Sequence, residues 1–135
     1  MSLRPLQIVW FKRDLRVHDH RALVMAARQG PVLPLFIAEP DLWQQPDYSA
    51  RQWAFVEESL SELRAELAAL GQALVVRIGD AVEILDRARR KFGEVALWSH
   101  EETGNGWTYA RDLKVAAWAK QTGVAWTELP QAGVI

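Results

Sequence analysis

The sequence predicts a doubly wound α/β fold, Rossmann-like or flavodoxin-like, in which a five-stranded parallel sheet carries helices on both faces. Five short apolar runs alternate with longer amphipathic segments along the 135 residues. The apolar runs show no regular alternation of apolar and polar residues, which is typical of parallel strands buried on both faces. The amphipathic segments are long enough to connect such strands as helices. A chain of this length fits one domain.

The five apolar runs are the predicted strands. They cover residues 6–11, 32–37, 74–78, 95–98 and 124–126. Pro34 lies inside the second run and has no backbone N–H to donate to a neighbouring strand, which weakens that assignment.

Four amphipathic segments are the predicted helices, at residues 21–29, 50–70, 81–92 and 108–122. Asp19 precedes the first helix as a start signal, and Ser49 with Gln52 has capping-box spacing before the second. Asp80 and Glu83 have the same spacing before the third. The second helix carries one apolar stripe at spacings of three and four residues, which predicts a face packed on the core.

The last predicted helix is apolar on more than one side. Tyr109, Leu113 and Ala117 form one row, and Val115 with Trp118 forms another. An apolar arc this wide predicts two buried faces, one of them against something outside this chain.

Composition excludes several classes of protein. The net charge is −1, half of the residues are apolar and cysteine is absent. Disulfides, thiolate zinc sites, iron–sulfur clusters and cysteine nucleophiles are therefore excluded. A near-neutral chain does not fit a surface that coats nucleic acid. No apolar run approaches the ~20 residues needed to cross a bilayer, and no signal peptide is recognisable, so a soluble cytoplasmic domain is expected.

Phosphate-binding motifs are absent or incomplete. The chain contains no G-x-x-x-x-G-K-[ST] sequence, which excludes a P-loop. Gly104-Asn105-Gly106 begins like a dinucleotide fingerprint, but Tyr109 stands at the third glycine and the motif follows the fourth strand. A turn before a helix is the expected structure there.

The polar clusters do not predict catalysis or metal binding. His18-Asp19-His20 lacks a third ligand nearby and lies at a helix start, so a solvated cap is expected and no metal site is predicted. Glu101 and Glu102 are adjacent on extended chain and point in opposite directions, which does not suit a paired acid and base. No catalytic centre is expected in this chain.

Ligands of doubly wound sheets bind beyond the carboxyl ends of the strands, where the winding reverses. The residues that directly follow the strands are therefore the candidate site, at 12–14, 38–40, 79–80 and 99–102. Arg13 and Arg16 flank Asp14, and fork-shaped guanidinium groups can fix a loop by pairing with such a carboxylate.

Residues 10–16 read WFKRDLR, and this segment resembles the N-terminal signature of the DNA photolyase and cryptochrome family. That signature typically reads Trp-Phe-Arg-Arg-Asp-Leu-Arg, followed by Asp-Asn and a helix. Lys12 replaces the first arginine here, and His20 stands at the usual asparagine. Residues 110–112 match an Arg-Asp helix of the family, and residues 131–135 resemble the segment that leaves its first domain.

The resemblance implies that residues 1–135 are the N-terminal α/β domain of a longer blue-light protein, with its helical FAD-binding domain outside this chain. The full-length protein would be a deoxyribodipyrimidine photolyase, a carbon–carbon lyase that repairs pyrimidine dimers in damaged DNA, or a cryptochrome. FAD would bind only in the full-length protein. Two alternatives are a cryptochrome domain without an antenna and a nucleotide-binding module of the stress-protein or electron-transfer-flavoprotein kind.

The family's N-terminal domain carries a light-harvesting antenna chromophore. Trp107 and Thr108 stand where folate-binding relatives carry Asn-Glu, so a flavin, deazaflavin or lumazine is favoured over folate. The resemblance and the strand ends together assign cofactor contacts to Phe11, Lys12, Phe36, Ile37, Ala38, Glu39, Arg51, Glu101 and Glu102. Of the seven tryptophans, three are expected at the interface with the helical domain: Trp43, Trp107 and Trp118.

Overall fold

The computed structural model describes residues 4–46, 48–102 and 104–130, so the segment at 131–135 lies outside the described residues. Strands and helices alternate along the chain, as the apolar pattern predicts. The strands are β1 (Leu6–Phe11), β2 (Val32–Ala38), β3 (Val75–Ile78), β4 (Val95–His100) and β5 (Ala125–Leu129). The helices are α1 (Arg21–Gln29), α2 (Pro40–Trp43), α3 (Ala50–Ala69), α4 (Ala81–Phe92) and α5 (Gly106–Thr122).

The described strands form one parallel sheet in the order β3-β2-β1-β4-β5. This confirms the predicted five-stranded doubly wound sheet and selects the Rossmann-like order over the flavodoxin-like one. The winding runs outward from β1 to β3 on one side and then restarts at β4 on the other. The switch point therefore lies between β1 and β4, and their carboxyl ends diverge there to leave a crevice.

Apolar side chains cover both faces of the sheet. Ile8 and Trp10 point to one face, where they pack with α4 and α5 through residues such as Leu85. Val9 and Phe11 point to the other, where α1 and α3 cover them. Alternate residues of a strand point to opposite faces, so both sets must be apolar when helices lie on both sides.

Pro34 is accommodated because β2 has a partner on only one side at that position. Val9 of β1 lies opposite Pro34, whereas β3 pairs with β2 only from Leu35 onward. A missing donor is tolerated where a strand has an unpaired side.

The helix starts follow local capping chemistry, with one correction. Ser49 and Gln52 form the predicted capping box at α3. At α1 the cap is His20 rather than Asp19: the His20 Nδ1 accepts the Leu23 N–H at 3.0 Å. Asp19 instead adopts a left-handed backbone conformation with φ of 49° in the turn before it. His20 is fully buried, so the solvated cap expected from the sequence is wrong.

The two apolar rows of α5 have different environments. Val115 and Trp118 are buried in the core, so the expectation of Trp118 at an outer interface is wrong. Its indole N–H donates to Asp86 of α4 at 3.0 Å. Tyr109 and Leu113 are 68% and 55% exposed, which leaves the other row uncovered. Asn105 caps α5, which confirms that Gly104-Asn105-Gly106 leads into a helix; Gly106 is already the first helical residue. None of the described helices has both the length and the apolar character of a membrane span.

Candidate functional site

A cleft of about 470 Å³ opens beside the carboxyl ends of β1 and β2, with α3 as its outer wall. Phe11, Phe36 and Ile37 form its base at the strand ends. The volume lies within the ~300–1,000 Å³ typical of small-molecule sites. The remaining lining residues are Trp10, Lys12, Arg13, Leu15, Glu39, Leu42, Trp43, Tyr48, Arg51, Gln52, Phe55, Val56, Ser59, Glu102 and Arg111.

Aromatic side chains form the outer part of the cleft. Trp43 of α2 meets Tyr48 and Trp53 edge to face, with ring centroids 4.9 and 5.1 Å apart. Such edge contacts fix the ring orientations. Phe55 is 69% exposed although it belongs to this lining. A large aromatic ring exposed beside a cavity suits contact with a flat apolar ligand.

The inner part of the cleft is a buried ionic cluster. Arg111 of α5 donates to Glu39 at 2.8 Å through one terminal nitrogen and to Glu102 through the other. All three side chains are 6% exposed or less. The guanidinium fork thus joins the end of β2 to the end of β4, and pairing is what makes burial of these charges tolerable.

Lys12 is the second buried cation of this cluster. Its Nζ lies 3.2 Å from Asp112, and its side chain is 3% exposed. Both cations also contact the ring of Trp10: Lys12 Nζ is 4.3 Å and the Arg111 guanidinium 4.9 Å from the ring centroid. Cation–π contact adds stabilisation at desolvated positions such as these.

Glu39 has an uneven environment. Its Oε1 pairs with Arg111, whereas its Oε2 is buried and has no hydrogen-bond partner among the residues that the structure describes. Burial raises the pKa of Glu39, the charges of Arg111 and Lys12 oppose this, and Glu102 adds to it, so that the pKa is about 7. Within the described cluster, the buried cations Lys12 and Arg111 lie among three carboxylates, which belong to Glu39, Glu102 and Asp112. Arg13 lies at the rim, and its side chain is half-exposed. Glu39 is the carboxylate whose charge is least compensated.

The raised pKa of Glu39 predicts a pH-dependent stability. Native Glu39 holds a proton between pH 4.5 and about 7 that the unfolded chain has lost, so its contribution to the free energy of unfolding falls as pH rises through this window. One pKa unit corresponds to about 1.4 kcal/mol. We expect wild type to lose about 2 kcal/mol relative to Glu39→Gln between pH 5 and pH 8. Urea unfolding of both proteins across this range measures the difference.

Glu62→Gln is the control for this experiment, because Glu62 is exposed on α3 and changes charge by the same amount. Its stability should keep a constant offset from wild type over the same pH range. A constant offset for Glu39→Gln as well would contradict the raised pKa.

A second buried polar cluster lies behind the strand ends. Asp14 Oδ2 accepts hydrogen bonds from His20 Nε2 at 2.5 Å and His100 Nδ1 at 2.8 Å, and Oδ1 accepts the Lys12 N–H at 2.9 Å. The predicted pairing of Asp14 with Arg13 and Arg16 is therefore wrong. Arg13 instead lies 3.3 Å from Glu102. The side chains of Arg13 and Arg16 remain in contact with solvent, whereas the buried imidazoles of His20 and His100 donate hydrogen bonds to the carboxylate.

Backbone donors fix the tautomers of the two histidines. Leu23 N–H donates to His20 Nδ1 and Ala22 N–H to His100 Nε2, so the opposite ring nitrogens carry the protons given to Asp14. Burial favours the neutral form of Asp14, but the bonds from His100, His20 and the Lys12 N–H prevail and hold its pKa well below the usual range. The three side chains also have the donor types of a metal site, but their mutual hydrogen bonds already use these atoms.

Most residues assigned to the site from the sequence do lie together. Those in the cleft lining are Phe11, Lys12, Phe36, Ile37, Glu39, Arg51 and Glu102. Ala38 lies outside this lining and packs in the apolar cluster beneath α3. Glu101 is also outside it, exposed at the end of β4, where its N–H donates to Leu129 at 2.7 Å.

Sequence reasoning missed Arg111, which joins two walls of the site. A signal was present: Arg111 lies four residues before Val115 and seven before Trp118, on the buried face of α5. A charged residue on an apolar helix face requires carboxylate partners. The aromatic residues of the outer wall, such as Trp43 and Phe55, were missed because they follow no strand end.

Comparison with known proteins identifies the family. A family model described as DNA photolyase matches residues 7–134. The chain belongs to the DNA photolyase family. This agrees with the WFKRDLR segment and with a fold that matches the N-terminal α/β domains of photolyases. The alternative of an unrelated nucleotide-binding module is set aside by this membership.

Individual relatives are much longer than this photolyase-family chain. Blue-light photoreceptor PHR2 of Arabidopsis thaliana is 33% identical over 129 residues, which cover 91% of this chain and 29% of that protein. A class III photolyase from Agrobacterium tumefaciens superimposes with a TM-score of 0.83 at 26% identity, covering 96% of this chain and 26% of that one. The chain spans less than a third of the length of either protein.

A photolyase from Sulfolobus tokodaii superimposes with a TM-score of 0.79 at 29% identity, covering 93% of this chain and 29% of that one. That structure is described as holding two FAD molecules, with the implication of a novel light-harvesting cofactor.

Proposed function

We propose that this chain binds a light-harvesting chromophore, a flat heteroaromatic molecule of the flavin, deazaflavin or lumazine kind, in the cleft between the strand ends and α3. The observation that carries the proposal is the cleft itself: about 470 Å³ beside the carboxyl ends of β1 and β2, with an aromatic outer wall and a buried ionic cluster at its inner end. Clefts of this composition suit ligands that are mostly apolar but carry a few polar atoms.

The residues present fit such a molecule. Phe11 and Phe36 offer an apolar base on the α3 side of the sheet, and Phe55 offers a ring for stacking from α3. At the inner end, Glu39 has a buried oxygen that no described residue hydrogen-bonds. When bound, the chromophore would absorb near-ultraviolet or blue light and supply excitation energy. The protein's part is to orient it and to exclude water.

The activity of the longer protein is part of the same proposal. With a helical FAD-binding domain, the whole molecule would use blue light to split pyrimidine dimers in DNA or to signal as a cryptochrome. The exposed row of Tyr109 and Leu113 on α5 supports a further domain packed on this one. The chain alone should not repair damaged DNA, and dimer splitting by the isolated chain in light would contradict this assignment.

Chromophore binding is testable with a pair of serines on α3. Ser59 lines the cleft, whereas Ser61 is exposed outside the lining. We expect riboflavin and 6,7-dimethyl-8-ribityllumazine to bind the wild-type chain more tightly than methenyltetrahydrofolate. Ser59→Trp should fill the cleft and weaken binding at least tenfold, whereas Ser61→Trp should leave it unchanged. Fluorescence titration of each compound gives the dissociation constants.

Two results would contradict the proposal. One is the absence of binding of all three compounds to wild type at millimolar protein. The other is equal affinity of wild type and Ser59→Trp, which would place the ligand elsewhere. Urea unfolding of both tryptophan variants establishes that they are folded.

A further inference from the structure

Glu39 differs from the other carboxylates of the cleft. It is 5% exposed, lines the cavity and has one oxygen bonded to Arg111, while its other oxygen bonds to none of the residues described in the structure. Glu102 is equally buried, but it receives both Arg111 and Arg13. A buried polar atom without a partner costs about 1–3 kcal/mol, and a hydrogen bond from a bound molecule would remove that cost.

We propose that Glu39 selects ligands that carry a ring N–H, because its free oxygen, Oε2, accepts that hydrogen bond when Glu39 is ionised. The inference rests on the proposed function in that the cleft must bind a flat heteroaromatic molecule. It narrows the expected ligands to those flat heteroaromatic molecules whose ring carries an imide- or amide-like N–H. It also makes binding depend on pH.

The surroundings of Glu39 set the direction of that dependence. Its neighbours are Arg111 and Asp112 of α5, Glu102 after β4 and Lys12 after β1. With the pKa of Glu39 at about 7, the carboxyl group is mostly protonated at pH 6 and mostly ionised at pH 8. Only the ionised form leaves both oxygens free to accept. Affinity for an N–H donor should therefore rise about tenfold from pH 6 to pH 8.

Two flavins that differ in one group test this without any mutation. Riboflavin carries an imide N–H at N3, whereas 3-methylriboflavin does not. We expect riboflavin to bind wild type about tenfold more tightly at pH 8 than at pH 6, and 3-methylriboflavin to bind with a weaker affinity that does not change with pH. Fluorescence titrations of the 135-residue chain at both pH values measure this.

Glu39→Gln completes the comparison. The glutamine oxygen can keep the Arg111 bond, which places its NH₂, a donor, where Oε2 lies. We expect this variant to bind riboflavin about tenfold more weakly than wild type at pH 8, with no pH dependence and little discrimination against the methylated flavin. Glu62→Gln, on the exposed part of α3, should behave as wild type.

The outcomes separate this inference from the proposed function. If riboflavin binds in the cleft with the same affinity at pH 6 and pH 8, and Glu39→Gln changes nothing, the role of Glu39 is wrong and the chromophore site stands. Affinity that falls as pH rises would also overturn it. If neither flavin binds wild type at any pH, the proposed function fails, and the role of Glu39 with it.

Discussion

Asp14→Asn should unfold this domain at a much lower urea concentration than wild type, with a loss of about 3–5 kcal/mol in the free energy of unfolding. The carboxylate accepts three hydrogen bonds in the core, two from His20 and His100 and one from the Lys12 backbone. The asparagine side chain has only one oxygen. In one orientation its NH₂ group faces the Lys12 N–H, and in the other it faces the ring N–H groups of His20 and His100. That donor is then left without a partner, and an ionic acceptor is replaced by a weaker one.

Asp19→Asn is the matched control for this substitution. Asp19 is exposed and has a φ of 49°, a conformation that asparagine also tolerates. Its effect should stay within about 0.5 kcal/mol. Urea denaturation followed by tryptophan fluorescence gives both values. If the two variants unfolded at the same midpoint, the buried hydrogen bonds of Asp14 would contribute nothing measurable.

The same cluster shows what the sequence could and could not predict. The start of α1 was predictable from local polar residues, although the cap is His20 and not Asp19. The partner of Asp14 was not predictable in this way, because His100 lies 86 residues away and meets Asp14 only when β4 pairs with β1. The spacing of charges along the sequence favoured Arg13 and Arg16 as the partners of Asp14. In the folded domain, the buried side chains of His20 and His100 bond to it instead.

The sheet could be predicted from the sequence, because parallel strands that are buried on both faces appear there as short continuous apolar runs. The lengths of the strands were predicted less accurately. β2 ends at Ala38, one residue beyond the predicted run, and β4 ends at His100, two residues beyond it. The strand-end rule then located the inner part of the cleft, including Glu39 and Glu102. It could not locate the outer wall, since Trp43 and Phe55 reach the cleft from α2 and α3.

Arg111→Met should be nearly as damaging as the change at Asp14, with a loss of about 3–5 kcal/mol at pH 8. The substitution removes the fork that pairs Glu39 and Glu102 and leaves two buried carboxylates close to each other. Methionine replaces the aliphatic stem of the arginine and removes only its charged end, so the lost pairing dominates the effect. Lys114→Met, on the exposed part of the same helix, should change stability by no more than about 0.5 kcal/mol.

The pairing explanation has a second consequence that a packing defect would not share. Protonation of Glu39, whose pKa is raised to about 7 by burial, removes its repulsion with Glu102. The loss caused by Arg111→Met should therefore be smaller at pH 5 than at pH 8. Adding Glu39→Gln to Arg111→Met should recover a large part of the stability at pH 8, because it removes the charge of Glu39, which has lost Arg111, whereas Glu102 keeps Arg13. Urea unfolding of the single and double variants at both pH values measures these terms. A loss independent of pH, with no recovery in the double variant, would show that Arg111 acts through its shape rather than its charge.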